Sequence, residues 1–254
     1  MTQLTLNALS QFPLIEPGDD LAKIILAGLD LNGLSLCAGD VLVLAQKIVS
    51  KAEDRYAYIN AVSAGEQAQA LALEVDKDPR LVQLILSESK EVVRQRRGVV
   101  IVEHNLGYVH ANAGIDKSNI TSDDDNPRVL LLPLDSDASA VALREQIFAA
   151  TGVEVAIIIN DSAGRAWRNG TVGMAIGCAG FEALQDLIGS EDLFQRPMEV
   201  TQVAVADELA AAASFMMGQG AEGAPVVLIK GAKLNPSNQG MGSLIRDKAN
   251  DLFR

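Results

Sequence analysis

From Asp19 onward, apolar residues return at Leu21, Ile24, Ile25 and Leu29, the spacing of one helix face, and Asn32-Gly33 offers a stop. DVLVLAQ (40–46) is almost continuously apolar and reads as a buried strand. Ser63-x-x-Glu66 has the form of a capping box ahead of an alanine- and leucine-rich stretch. Asp78-Pro79 suits the start of a helix carrying Leu81, Leu84 and Ile85, so two helices are expected between 63 and 90. ESKEVVRQRRG (88–98), with Glu88, Arg94, Arg96 and Arg97, reads as surface. GVVIVEH (98–104) and GYVHANA (107–113) are β-type runs around Asn105-Leu106, which predicts a hairpin.

Farther along, TSDDDNPR (121–128) is a polar loop and VLLLPL (129–134) a buried strand, and a helix starts in the stretch from Asp135 to Ser139. VEVAIIIND (153–161) is the clearest strand; it ends in Asn160-Asp161 and so delivers a carboxylate to the edge of a sheet. NDSAGRAWRNG (160–170) follows as a loop. The stretch from Arg196 to Met217 reads as a long alanine-rich helix with Asp207-Glu208 in its middle, solvated or cap-like. APVVLIKG (224–231) is a last strand, and a short amphipathic helix closes the chain. Strands and helices mix without regular βαβα alternation. The expected class is therefore α+β, with mixed or antiparallel sheets surrounded by helices and α/β as second choice, and no internal repeat is visible.

Composition narrows the function. The 254 residues make one large unit or two small lobes. A net charge of −12 and 4% aromatic content argue against nucleic acid as a partner. No apolar run approaches the roughly 20 residues that span a bilayer, and the first residues lack the layout of a signal peptide, so no membrane partner and a cytoplasmic address are expected. Cys37 and Cys178 have no C-x-x-C spacing and read as reduced core thiols. Two histidines, His104 and His110, are too few for a multi-histidine metal site, whereas many carboxylates suit hard cations.

Four segments carry candidate chemistry, each beside a plainer reading. GQGAEG, with Gly218, Gly220 and Gly223, satisfies G-x-G-x-x-G but follows a helix and precedes a strand, the reverse of the dinucleotide-binding order. It can still bring backbone N–H groups to a phosphate, or be a flexible turn. In NAGIDKSN (112–119), Asp116 and Asn119 can face one ligand or bond their own backbone. In NDSAGRAWRNG, Asp161 and Ser162 can hold Mg2+ or Mn2+ while Arg165 and Arg168 neutralise phosphate or carboxylate oxygens; a surface ion-pair cluster needs the same residues. That segment also holds the single tryptophan, Trp167, otherwise expected in a core. Lys47 and Lys51, four apart after a strand, can bind phosphate or line a solvated helix face. Phe12, Pro13 and Leu14 can simply pack the entry to the first helix.

Taken in order, GDDLA, DVLVLAQKIVSKAE, KDPRLVQLILSES with EVVR, ANAGIDKSN, VLLLPLDSDASA, IINDSAGRAWRNG with VGMAIGCAG, and TQVAVADELAAAA resemble the F420-0:γ-glutamyl ligase family over about residues 12–230. The resemblance implies a ligase that uses GTP and a divalent metal to add L-glutamate to the deazaflavin coenzyme F420-0, releasing GDP and phosphate. It also implies an α+β homodimer with intertwined sheets. Carried over by motif, Asp116 and Asp161 are ligands of one Mg2+ or Mn2+, Ser162 of a second, and Gln219 a further metal contact; whether K+ assists is left open. Phe12, Pro13, Leu14, Ile15, Gln46, Lys47, Lys51, Asn119, Gly218, Gln219, Gly220 and Glu222 are the implied GTP contacts, and Asp116, Asp161 and Arg165 the catalytic set.

The chain departs from the family pattern at Phe12, where relatives often have a glycine-leucine pair, at Asn160 for Ser, at Ser162 for Thr, and at Ala163 and Ala166. The chemistry implied is an acyl phosphate, because a carboxylate lacks a good leaving group at neutral pH. Two alternatives stand beside it: a nucleotide- and metal-binding module that does not ligate, and a ligase for a related flavin or pterin acid.

Overall fold

A computed structural model describes residues 3–253. The chain runs β1 (Thr5–Ala8), α1 (Leu21–Leu31), β2 (Val41–Ala45), α2 (Gln46–Ala52), β3 (Tyr56–Tyr58), α3 (Glu66–Val75), α4 (Pro79–Ser87), β4 (Ser89–Arg96), β5 (Val99–His104) and β6 (Val109–Ala111). It continues through β7 (Arg128–Leu130), α5 (Ser136–Thr151), β8 (Ala156–Arg165), β9 (Arg168–Ala179), β10 (Gln185–Asp186), β11 (Gln202–Val203), α6 (Val205–Met217) and β12 (Val226–Lys230). This is the mixed α+β class that the pattern predicts.

The main sheet has the order β1-β12-β2-β8-β9. Its β2–β8 ladder is parallel and the other three are antiparallel. Val41 to Leu44 and Ile157 to Ile159 are fully buried, which is why these strands are apolar on both faces rather than alternating. Both α5 and α6 pack on β8 and β9. The seats are close: a Cβ on Gly173 would stand 2.5 Å from the Ala210 carbonyl oxygen of α6, and one on Gly177 2.4 Å from the Ser136 carbonyl oxygen of α5. Only glycine lets the backbones approach so far.

A second apolar cluster gathers Leu71 and Val75 of α3, Val82 and Ile85 of α4, Val100 and Val102 of β5, and Val129 of β7. Two smaller sheets, β3-β7 and β4-β5-β6, go with it. Among the described residues no helix is long and apolar enough to cross a membrane.

Several local expectations are corrected. The first helix is capped by the Asp20 side chain, which accepts from Lys23 N, while Asp19 accepts from Glu16 N. Gly65, not Ser63, is the N-cap of α3, so the capping box does not form. Asp78 caps α4 as expected. Residues 88–98 are surface as expected, mostly as an exposed edge strand, β4, whose ladder with β5 is interrupted by register shifts. The strand expected at 129–134 keeps ladder pairing only to Leu130.

The long helix expected from Arg196 starts at Val205. Residues before it bond to 186–192 instead, through Met198 N to Ser190 O and the β10–β11 pair. Asp207 and Glu208 then fall in the first turn of α6, where their charge suits the helix N-terminus. Asp207 also accepts from Ala175 N, and burial raises its pKa, so it is not a solvated mid-helix acid. The closing helix is two 3-10 turns, Met241–Leu244 and Lys248–Asn250. Cys178 is buried, but Cys37 is exposed.

The largest correction concerns residues 160–170. They are not a loop: β8 runs on to Arg165, Ala166 and Trp167 turn the chain, and β9 returns from Arg168. Trp167 is 85% exposed at the tip.

Candidate functional site

β2 ends at Ala45, which the parallel register sets beside Asn160 of β8, a strand that runs on past this point to Arg165. The next residues, Gln46 and Asp161, therefore emerge side by side. Ligand sites in sheets with parallel strands form where strand ends deliver side chains in this way. From Gln46 the chain turns into α2, which places Lys47 and Lys51 one turn apart on one face.

Asp116 arrives from the other side of the molecule. The turn before it holds Asn112, Ala113 and Gly114 at φ of 51°, 54° and 66°, and its own N–H and C=O pair with Leu130. Gly114 is required there, since a Cβ would stand 2.5 Å from Leu132 Cδ1. Asn119, also left-handed, donates to Gly220 O at 3.1 Å and accepts from Lys51 Nζ at 2.8 Å through its carbonyl. Gly218 ends α6 at φ 74° and opens the glycine-rich loop, which Glu222 folds back on by accepting from Gly220 N.

These pieces enclose a cavity of about 560 Å³. Lys47 Nζ and Gln46 Nε2 stand 2.5 and 2.6 Å from Asp116 Oδ2. Burial raises the Asp116 pKa, with Lys47 opposing and Asp161 adding to the rise. Asp161 Oδ2 lies 2.9 Å from His110 Nε2, and both side chains are buried. Burial works against a charged His110, but Asp161 outweighs it and raises the His110 pKa. Behind His110, Tyr108 stacks on His104, whose pKa burial lowers to about 4. Burial also lowers the Lys51 pKa, and Glu16 opposes it. Ser162 Oγ donates to Gln219 Oε1 at 2.7 Å, and Gln219 Nε2 donates to Ser214 Oγ at 3.0 Å.

Residues 10–231 match the family described as F420-0:Gamma-glutamyl ligase. The chain belongs to that family. It is 42% identical to the protein named Coenzyme F420:L-glutamate ligase of Methanothermobacter thermautotrophicus, over 99% of each chain. The proteins of the same name from Methanocaldococcus jannaschii and Archaeoglobus fulgidus are 43% and 40% identical, over 85% of both chains for the first and 95% of this chain and 93% of the relative for the second.

Of the residues that the F420-0:γ-glutamyl ligase resemblance singles out, Phe12, Pro13, Leu14, Ile15, Gln46, Lys47, Lys51, Asp116, Asn119, Asp161, Ser162, Gly218, Gln219, Gly220 and Glu222 all line this one cavity. Phe12 also lies over Gly28 of α1, so it packs the helix entry as well, while Leu14 stands at the rim, 83% exposed. Lys47 and Lys51 are tied to the NAGID segment rather than left on a solvated face. Arg165 is the exception. It lies outside the cavity lining, near the hairpin tip, and donates to Gly170 O at 3.4 Å.

His110 and Ser214 were not singled out, yet they back Asp161 and Gln219. The signal for His110 was its place on a strand six residues before Asp116; Ser214 gave none, being one small residue in an alanine-rich helix. Among the described residues no three His, Cys, Asp or Glu side chains cluster as a metal site. Asp116, Asp161, Ser162 and Gln219 offer only oxygens. That set fits a hard ion such as Mg2+, which takes one or two carboxylates and completes its shell with phosphate and water.

Proposed function

We propose that this protein is a GTP-dependent ligase that joins L-glutamate to coenzyme F420-0 through an acyl phosphate, in F420 biosynthesis. The observation that carries the reading is the convergence of two acids, two lysines and a glycine-rich loop, from four separate segments, on one cavity. That combination suits a triphosphate better than any neutral ligand.

In this reading the acceptor carboxylate attacks the γ-phosphorus of GTP, and GDP leaves. The amine of glutamate then attacks the acyl carbon, phosphate leaves, and the amine gives up a proton, so an amide forms at the expense of one phosphoanhydride. Lys47 and Lys51 set positive charge beside the phosphoryl oxygens, and the Gly218–Gly220 loop lets the main chain approach the phosphates closely. Phe12, Pro13, Leu14 and Ile15 form the apolar wall for the base. Asp116 and Asp161, with Ser162 and Gln219, would hold Mg2+ or Mn2+ in two sites, which when bound neutralises the charge that builds on the transferring phosphoryl group. Gln46 and Lys47 fix Asp116, and His110 fixes Asp161. A homodimer and a cytoplasmic address go with this reading, and sedimentation tests the first.

The decisive assay incubates purified protein with F420-0, L-glutamate, GTP and Mn2+ and weighs the product. Stepwise gains of one glutamyl residue with GDP release support the ligase. Ligand binding without mass gain would make it a binding module, and turnover only with another flavin or pterin acid would move the acceptor.

A further inference from the structure

The cavity leaves one part of the proposed reaction without a seat. Its lining takes in Asn160, Asp161 and Ser162 but stops there, and no tryptophan or tyrosine contributes to it. A wall formed by Phe12 to Ile15 serves one flat base. A second flat ring, that of the acceptor, needs an aromatic surface elsewhere that its carboxylate can still bridge to the phosphoryl group.

The β8–β9 hairpin supplies one. Trp167, 85% exposed and in the left-handed region at φ 65°, caps the hairpin, and its ring lies 6.4 Å from that of Phe253, itself 57% exposed. Arg246 stands over Phe253 at 5.5 Å and also faces the Asp251 carboxylate at 3.9 Å. Arg165 and Arg168 face each other across the turn, and neither has an ion-pair partner among the described residues. Guanidinium groups around an exposed ring pair, on a chain of charge −12, favour a ligand that is both flat and anionic. The tip is also at a suitable distance. Four residues of strand separate Asp161 from Arg165, about 13 Å, the scale of an acid whose ring and reacting carboxylate sit at opposite ends of a phosphate-bearing arm.

We infer that Trp167 and Phe253, flanked by Arg165, Arg168 and Arg246, form the docking platform for the heteroaromatic ring and anionic arm of the acceptor. The ring stacks at the hairpin tip while the carboxylate reaches back along β8 to Asp161. This rests on the ligase reading and adds to it a site for the deazaflavin. Trp167 and Arg168 act here in binding rather than in phosphoryl transfer.

The test is F420-0 binding, read from the fluorescence anisotropy of the coenzyme itself, with no turnover required. Trp167→Ala should weaken F420-0 binding by about tenfold or more, and Arg168→Gln should weaken it less. Trp167→Phe should recover most of the loss. GTP affinity and oligomeric mass should stay as in the unsubstituted protein. F420-0 affinity within about twofold of the unsubstituted protein in both Trp167→Ala and Arg168→Gln would overturn the proposal, given that one stacked ring is worth more than that. So would a loss seen only together with a change in oligomeric mass, which would assign the patch to a second copy of the chain. Failure of the unsubstituted protein to bind F420-0 would overturn both readings. Binding that depends on Trp167, without glutamate addition, would sink the ligase and leave the platform standing.

Discussion

The segment that carries Asp161 and the segment that carries Asp116 are held in different ways. Asp161 extends from Ile157, Ile158 and Ile159, each fully buried between β2 and β9, so its position is fixed by the core of the main sheet. Asp116 follows a turn of three left-handed residues and is held by one isolated bridge to Leu130 and by Gln46 and Lys47. One acid is placed by packing and the other by local backbone geometry. They also face different partners, Asp161 a buried histidine and Asp116 a lysine from α2. One wall of the cavity is thus positioned by the core of the main sheet and the facing wall by a local turn.

The comparison can be broken first on the sheet side. Asp161→Asn should cut GTP-dependent glutamate addition by about a thousandfold or more with the fold unchanged by circular dichroism. Near-normal turnover at saturating Mn2+ would remove Asp161 from the metal site. Ile158→Ala, under the same wall, should cost about 2 to 5 kcal/mol of stability in urea unfolding. A loss well under that range would mean the strand end is not anchored by its core.

The histidine column behind Asp161 gives a pH signature. His104 has its pKa lowered to about 4, from 6.5, by burial, so the unfolded chain takes up a proton before the folded one does. Its contribution is present above pH 6.5 and falls away toward pH 4, about 3 kcal/mol in all. His110, whose pKa is raised, works in the opposite sense and offsets part of this. His104→Phe should therefore flatten the fall in stability between pH 6.5 and 4; an unchanged slope would contradict the neutral, buried imidazole.

On the turn side, Gly114→Ala forces a Cβ to within 2.5 Å of Leu132 at φ 66°. It should cost about 1 to 3 kcal/mol and lower turnover as Asp116 shifts. Full stability would show that the turn yields easily. The smallest effect is expected of Lys51→Ala, which should raise the apparent KM for GTP by about tenfold while leaving turnover at saturation close to normal. An unchanged KM would take Lys51 off the phosphates.

Much of this was legible along the chain where the cause is local. The apolar run ending at Asp161 shows the strand and its carboxylate and Asp78-Pro79 a helix start, whereas the residues that line the cavity are named by the family resemblance and not by any local pattern. The misses share a non-local cause. Gly164 looks like a loop residue, yet it pairs with Thr171 inside the β8–β9 ladder, while Asn169 and Gly170 fall in a register shift between that pair and Arg165–Arg168. That extension carried Arg165 away from the cavity and Trp167 into solvent. The stretch before Val205 exchanges backbone hydrogen bonds with residues 187–192, a pairing between segments that no single one of them shows. Nothing in the separate segments could show that His110 would meet Asp161, 51 positions later in the sequence.

In the proposed reaction Asp116 and Asp161 would hold one divalent ion against the phosphates of GTP. Crystals grown with GDP and Mn2+, with data collected at the manganese edge, test it most directly. The account predicts an anomalous peak bridging the two carboxylates, next to a diphosphate held by Lys51 and the Gly218–Gly220 loop. A peak elsewhere, with the carboxylates turned apart, would contradict it.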